Sequence, residues 1–458
     1  MFCDHQRRWC VTVNRPTAAT RVARTVWILC FAVVFLDGFD LVIYGTVLPS
    51  LLADPSWNMS PETGGAIGSY ALIGLMIGAL MSGYIADQYG RRKPLILYAV
   101  MFSVLTALCA AANGPAMLGV LRFLVGLALG GALPMVIALV AEYAPAERRN
   151  FYNATMLAGY AIGAVLVSLV SIFVVPNLGF RTMFLVGGLM GLAVLPFLVW
   201  KLPESLDHLV TSGRHERARA LADSMGLGGE AVERRAEAMA LTAEQESVDR
   251  LVAIRALAAP GYRLASIAFP VAGFCAFILA YGLNTWLPEI LTSSGYSLGS
   301  SLAFLVALNA GSLLGNLVLS TVADRSGPRL AIVIAGGVAC VCILALSLGL
   351  PTGFVYGLIL AAGFGALTSA ALIFGYASGY YPGYARGTAL GWTMGLSRLG
   401  GVVGPLIGGF VLGASVGPEW NFYIFGTTAL ALCGAIMLVP PSRRSSRSDE
   451  PSPQLDKA

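Results

Sequence analysis

Two stretches decide how this chain folds: Gly83-Tyr-Ile-Ala-Asp87-Gln88-Tyr-Gly90-Arg91-Arg92-Lys93 and, later, Ser320-Thr-Val-Ala-Asp324-Arg325-Ser-Gly327-Pro-Arg329. Each closes a long apolar run with an acid, a glycine and an arginine in the same order, at an offset of 237 residues between Asp87 and Asp324. The same register pairs Gly126 with Gly363, Tyr143 with Tyr380, Pro145 with Pro382, Arg149 with Arg386 and Gly163 with Gly400. One gap-free register over so long a segment points to a duplicated unit.

The sequence around these stretches is a membrane sequence. Of 458 residues, 57% are hydrophobic and 12% charged, and the mean hydropathy is +0.75. That is too apolar for a wet surface, and at roughly 20 residues per crossing the runs between Val26 and Pro440 provide about twelve helices. An even number of spans per duplicated half places the halves parallel, as two six-helix bundles. The expected organisation is a tail (1–25), a first bundle (26–200), a charged connection (201–262), a second bundle (263–440) and a disordered tail (441–458) rich in Ser, Pro and charge. Within the connection, the stretches around Arg217 and Ala231 read as amphipathic surface helices.

Basic residues fall in alternate connections: Arg21 and Arg24 before the first run, then Arg91 to Lys93, Arg148 and Arg149, and the 201–262 segment. The positive-inside rule then puts both termini in the cytoplasm. The basic start does not read as a cleaved signal, because the run after it is too long and leads directly into further spans. The eight cysteines show no disulfide or metal spacing; Cys340-x-Cys342 reads as core packing.

Inside the first run lies Val34-Phe-Leu-Asp37-Gly38-Phe39-Asp40-Leu-Val-Ile-Tyr44. A carboxylate at the centre of a membrane helix costs roughly 2.5 to 3.5 kcal/mol on insertion scales, so two of them mark a functional site. At a spacing of three, Asp37 and Asp40 share a helical face continued by Tyr44. His5, His208 and His215 all lie outside the spans, so proton coupling falls to Asp37 and Asp40, expected to act as one pair on a cavity. The seventh run offers no matching acid. Arg398, halfway along the eleventh run, is too deep to snorkel, and its planar fork suits either a substrate carboxylate or an internal salt bridge to an acid such as Asp37 or Asp40. Arg122, in Arg122-Phe-Leu-Val-Gly126-Leu-Ala-Leu-Gly130-Gly131, has two placements open to it: the cavity, assisting Arg398, or the nearby outer interface.

The Gly83–Lys93 and Ser320–Arg329 loops resemble the signature loop of the major facilitator superfamily, and the Arg122 segment resembles that family's Arg-and-glycine motif. Gln88 departs from the pattern, which has arginine after the acid. The resemblance implies an all-α transporter of two pseudo-symmetric six-helix bundles. It also implies gating by Gly83, Asp87, Gly90, Arg91, Arg92, Glu142, Arg149, Asp324, Arg325 and Gly327. Within that family, Asp37-Gly38-Phe39-Asp40 resembles the signature of aromatic acid:proton symporters, as do Leu202-Pro203-Glu204-Ser205, Tyr281-Gly-Leu-Asn284-Thr-Trp286-Leu-Pro288 and Arg386-Gly387-Thr388.

This implies proton-coupled uptake of an aromatic carboxylate such as benzoate, a hydroxybenzoate or protocatechuate across the cytoplasmic membrane. Arg398, Arg122, Tyr44, Trp286 and Asn284 are then the expected substrate contacts. A drug antiporter is disfavoured because Gly159-Tyr-Ala-Ile-Gly163-Ala164 lacks the closing proline of that group's motif; a sugar porter is disfavoured because the closing Pro-Glu-Thr signature expected after the twelfth run is absent there. No nucleophile–base pair, phosphate loop or metal cluster suggests an enzyme, and no cofactor, metal or nucleic-acid partner is expected.

Overall fold

The computed structural model describes residues 18–145, 148–224, 252–414 and 416–440. The tail before residue 18, the amphipathic stretch at Ala231 and the tail after 440 lie outside these residues. Twelve described helices are long and apolar enough to cross a membrane. They are α1 (Ala18–Ala53), α2 (Pro61–Tyr89), α3 (Arg92–Cys109), α4 (Pro115–Tyr143), α5 (Arg149–Leu178) and α6 (Phe180–Lys201). The second half holds α7 (Ala265–Ser293), α8 (Leu298–Ser326), α9 (Pro328–Ala345), α10 (Thr352–Tyr380, interrupted at Leu367–Thr368), α11 (Gly383–Gly413) and α12 (Glu419–Met437). Two short helices, Leu206–Thr211 and His215–Ser224, follow α6. The fold is all-α, in two pseudo-symmetric six-helix bundles.

The duplication read from the sequence is physical. Membrane helices gain nothing from hiding apolar surface from lipid, so they associate where small residues let backbones touch. A Cβ on Gly126 would lie 1.8 Å from the Ala71 carbonyl, and one on Gly363 would lie 1.9 Å from that of Leu308, its equivalent. Gly74 meets the Phe123 carbonyl as Gly311 meets that of Leu360, and Gly78 meets Leu127 as Gly315 meets Phe364. Even the N-caps correspond: Ser60 accepts from the Thr63 amide at α2, Ser297 from that of Ser300 at α8. The α2–α4 and α8–α10 pairs are thus one design used twice.

The copies part at α10. Gly130 admits the Leu75 carbonyl, where a Cβ would come within 2.0 Å; the equivalent position in α10 is Leu367. A leucine there cannot tolerate the same backbone approach. The helix breaks at this point, and the Thr368 hydroxyl donates to the Ser312 carbonyl at 3.3 Å.

The end carrying the α2–α3 and α8–α9 turns, predicted from the arginines to be cytoplasmic, is termed inner. At the outer end the bundles touch. Gly45 of α1 lies against the Asn284 carbonyl of α7, Gly65 of α2 against that of Pro405 in α11, and Gly409 of α11 against that of Pro61. The Ser69 hydroxyl donates to the Val402 carbonyl at 2.6 Å across the same seam. Toward the inner end the seam opens: Gly83 of α2 and Gly391 and Gly395 of α11 have nothing near a notional Cβ, and Leu80 and Tyr84 are exposed. The bundles are therefore closed outside and parted inside.

Because the α2–α4 and α8–α10 contacts are equivalent, Gly126→Val and Gly363→Val are expected to destabilise the protein to a similar extent, by about 1–3 kcal/mol or more each. Thermal unfolding of the two purified variants checks this; a large effect at one site and none at the other would contradict the shared packing.

Candidate functional site

Gly38 sets the site. A Cβ there would fall 2.0 Å from the Tyr160 carbonyl, so α5 lies directly on α1 at the level of the two aspartates. Residues three apart on a helix diverge by about 60°, and here that rotation separates Asp37 from Asp40. Asp40 turns toward α3 and α4. Its carboxylate pairs with the Arg122 guanidinium at 2.7 Å and accepts from the Thr106 hydroxyl at 2.9 Å. Arg122 also donates to the Asp40 carbonyl at 3.3 Å, and its guanidinium lies 5.9 Å from the Tyr44 ring centroid. Both partners are sealed, at 0% and 1% exposure.

Asp37 faces the other way, onto a cavity of about 290 Å³ between the bundles. The first bundle contributes Asp37, Leu41, Leu72, Leu75, Leu133, Leu157 and Tyr160 to its lining, and the second Phe277, Tyr281, Phe374, Met394 and Arg398. The Phe277 ring packs edge-on against Tyr281 at 5.4 Å and Phe374 at 5.9 Å, building an aromatic wall. Arg398 donates to the Leu75 carbonyl at 3.3 Å. Asp37 is in electrostatic reach of Asp40, Arg398, Tyr160 and Tyr281, yet its buried Oδ1 has no hydrogen-bond partner among the described residues.

The structure therefore brings Asp37 and Arg398 to one cavity and corrects several expectations. Asp40 does not share the cavity face with Asp37, because α4 supplies a countercharge on its side. Arg122 is neither at the outer interface nor beside Arg398; it is committed to Asp40. Tyr44, Trp286 and Asn284 lie outward of the cavity, in the closed seam. Tyr44 donates to the Gly64 carbonyl at 2.6 Å, and Trp286 to that of Pro405 at 2.7 Å. Asn284 bonds the Ala280 carbonyl and accepts from Asn309. The cavity's aromatic residues Tyr160, Phe277, Tyr281 and Phe374 escaped the sequence reading. For Tyr160 a signal existed: Gly159 and Gly163 flank it and pack on α1 at Phe31 and Phe35.

The gating residues divide in the same way. Gly90 (φ +84°) and Gly327 (φ +90°) make the turns after α2 and α8, each capping its helix. Arg92 donates to the Val199 carbonyl at the end of α6, as its equivalent Arg329 does to Met437 at the end of α12. The first turn carries a further clamp. Glu204 accepts from the backbone amides of Arg91, Arg92 and Ser205 at 3.1, 3.0 and 3.0 Å. Glu142 pairs with Arg91 and accepts from Ser205 and the Asp207 amide. Arg91 and Arg92 are thus tied into the bundle rather than left in solvent. Glu142 pairs with Arg91 and not with the exposed Arg149, which opens α5. Gly83, named with the gating loop, stands in open space because the seam is parted there. Asp87, Asp324 and Arg325 are exposed. Asp87 borders a pocket with Arg91, Asp207 and His208. The role of Glu204, quoted only within a family string, was not legible.

Two helical bundles around a largely apolar cavity that holds Asp37 and Arg398, closed at one end and open at the other, have the architecture of a transporter. The major facilitator superfamily model matches residues 30–402 and 310–457, and the chain belongs to that family. It is 34% identical to the gallate transporter of Pseudomonas putida over 426 residues, covering 93% of each chain. It is 35% identical to the gentisate transporter of Corynebacterium glutamicum, covering 89% of this chain and 86% of that one. The benzoate transport protein of Acinetobacter baylyi is 30% identical, with coverage of 94% and 93%. Among solved structures, the partially occluded inward-open conformation of the xylose transporter XylE from E. coli superposes with a TM-score of 0.73 at 18% identity. That match covers 92% of this chain and 99% of that one, and shows the shared fold. Family and relatives are transporters, not enzymes.

Removing one member of the Asp40–Arg122 pair strands the other's charge in an apolar interior. Asp40→Asn and Arg122→Leu are each expected to cost roughly 3 to 5 kcal/mol, with much of the loss recovered in the double variant. Melting temperatures of the three variants test this; additive losses in the double variant would show that the pair is not the coupled unit.

Proposed function

We propose that the protein is a proton-coupled symporter that takes up an aromatic carboxylate across the cytoplasmic membrane, with both termini and the 201–262 connection on the cytoplasmic side. The observation that carries this reading is the juxtaposition of Arg398 and Asp37, whose Oδ1 accepts no hydrogen bond from the described residues, in a cavity walled by aromatic rings. The relatives named above, transporters of gallate, gentisate and benzoate, support the substrate class.

Arg398 spends one long contact on Leu75, which leaves guanidinium N–H groups to bind a carboxylate as a fork. The ring of the substrate lies against Phe277, Tyr281 and Phe374, where stacking and apolar burial select an aromatic acid over an aliphatic one. The Asp40–Arg122 pair is neutral as a unit, so the cavity's own charges are one acid and one base. A carboxylate substrate adds a negative charge that the apolar walls do not tolerate. One proton on Asp37 restores balance: Arg398 then faces the substrate anion alone, and the loaded cavity is neutral while the bundles rock about it. Asp40, paired and sealed, holds the balance rather than carrying the proton itself.

One proton per monovalent anion makes transport electroneutral. In proteoliposomes, accumulation of labelled aromatic acid is expected to follow an inward pH gradient and to be insensitive to a valinomycin-imposed potential. Accumulation driven by potential at equal pH would overturn the charge count. Arg398→Lys keeps the charge but loses the planar fork. Substrate affinity is expected to fall roughly tenfold or more, the loss of one charge-assisted hydrogen bond. Competition binding measures it, and wild-type affinity would remove Arg398 from the substrate site.

A further inference from the structure

A second cavity, of about 360 Å³, lies within the first bundle near its inner end. Helix α2 contributes Gly78, Ile85 and Tyr89 to the lining, α3 contributes Lys93 and Leu97, and α4 contributes Leu127. Tyr89 and Leu97 are exposed, so the cavity is an open groove. Ile85 is two residues from Gly83, about 200° round the helix. The groove therefore opens on the side of α2 away from the parted seam, toward lipid.

Lys93 is the one charged residue of the lining, and it stands at the inner end. Its neighbours in the turn are committed elsewhere, Arg91 to Glu142 and Arg92 to the Val199 carbonyl. Lys93 is exposed and enters none of the ion pairs among the described residues. From Gly78 to Tyr89 the α2 lining rises about 16 Å, close to half of the roughly 30 Å hydrocarbon core. The groove thus has the length of one leaflet, apolar along its course and cationic at the headgroup level. Nor is it a by-product of the repeat. At the 237-residue offset Leu330 stands for Lys93, Ser326 for Tyr89 and Phe364 for Leu127, so the second copy lacks the cation and carries a bulkier side chain.

We infer that this groove binds one anionic phospholipid of the inner leaflet, its acyl chain along α2 and its phosphate on the Lys93 ammonium. A zwitterionic lipid brings the same phosphate together with a cationic group, for which the lining offers no acid. Charge complementarity therefore selects a lipid of net negative charge, by about fivefold for one lysine at the membrane surface. The bound lipid joins α2 to α3 beside the turn that holds Gly90, Arg91 and Arg92, and stabilises the folded chain by mass action. The site is independent of what the cavity between the bundles carries.

The test is native mass spectrometry, with melting curves, of the delipidated full-length protein titrated with dioleoyl phosphatidylglycerol, phosphatidylethanolamine and phosphatidylcholine. The first phosphatidylglycerol is expected to bind about fivefold more tightly than either zwitterionic lipid and to raise the melting temperature. Lys93→Gln is expected to bring the three lipids within about twofold of one another, while Lys201→Gln, which removes an exposed cation outside the groove, keeps the preference. Leu127→Phe, shown folded by its melting curve, installs the second copy's residue and is expected to weaken all three about tenfold, as burial of two methylenes is lost. Equal binding of the three lipids by the wild type overturns the inference, as does a preference that survives Lys93→Gln or falls equally in Lys201→Gln. Wild-type lipid binding in Leu127→Phe overturns the groove as the place of binding. A dimer seen in the wild type and lost in Leu127→Phe puts a second copy there instead and likewise overturns it.

Discussion

Charge cannot stand alone in the apolar interior of this protein, and that constraint organises everything near its centre. Two aspartates and two arginines occupy the middle of the helices. Asp40 and Arg122 neutralise each other within the first bundle, at 2.7 Å and shut away from solvent. Asp37 and Arg398 sit on opposite bundles and form no ion pair with each other. The first pair fastens α1 to α4; the second lines the cavity between the bundles. A cavity with one acid and one base is neutral when empty and again when an anion and a proton are both bound, and is unbalanced by either alone, which is the charge argument behind the coupling proposed above.

Around this centre the scaffold is repeated, and the departures from repetition are where function concentrates. Glycines in register bring α2 against α4 and α8 against α10 with the same carbonyls in contact. The second bundle has no counterpart to the Asp37–Asp40 motif, and Gly379 stands where the first bundle has Glu142. Leu367, in place of a glycine, breaks α10. The Glu204 and Glu142 contacts tie the α2–α3 turn to the segment after α6, while in the opposite bundle α10 is interrupted at Leu367–Thr368.

The closed outer seam explains why aromatic residues that look like a binding site are elsewhere. Tyr44 and Trp286 are large and fully buried, with their polar atoms satisfied by carbonyls of α2 and α11. In the inward-parted arrangement they act as plug and packing. The rings that meet the cavity lie nearer the inner end, on α5, α7 and α10, at the level where the bundles begin to separate.

The sequence by itself determined the twelve helices, the duplicated halves and the intramembrane positions of Asp37, Asp40, Arg122 and Arg398. Those follow from local composition, period and offset, because hydropathy and close glycine contacts are properties of short segments. Only the tertiary structure decided which acid met which base. Helical spacing placed both aspartates within one broad face, but 60° of rotation and the countercharge on α4 separated them, and no local pattern encodes which neighbour lies across an interface. The roles of Glu204, Tyr160 and Phe277 were hidden for the same reason: each depends on partners far along the chain, brought near only when the helices pack.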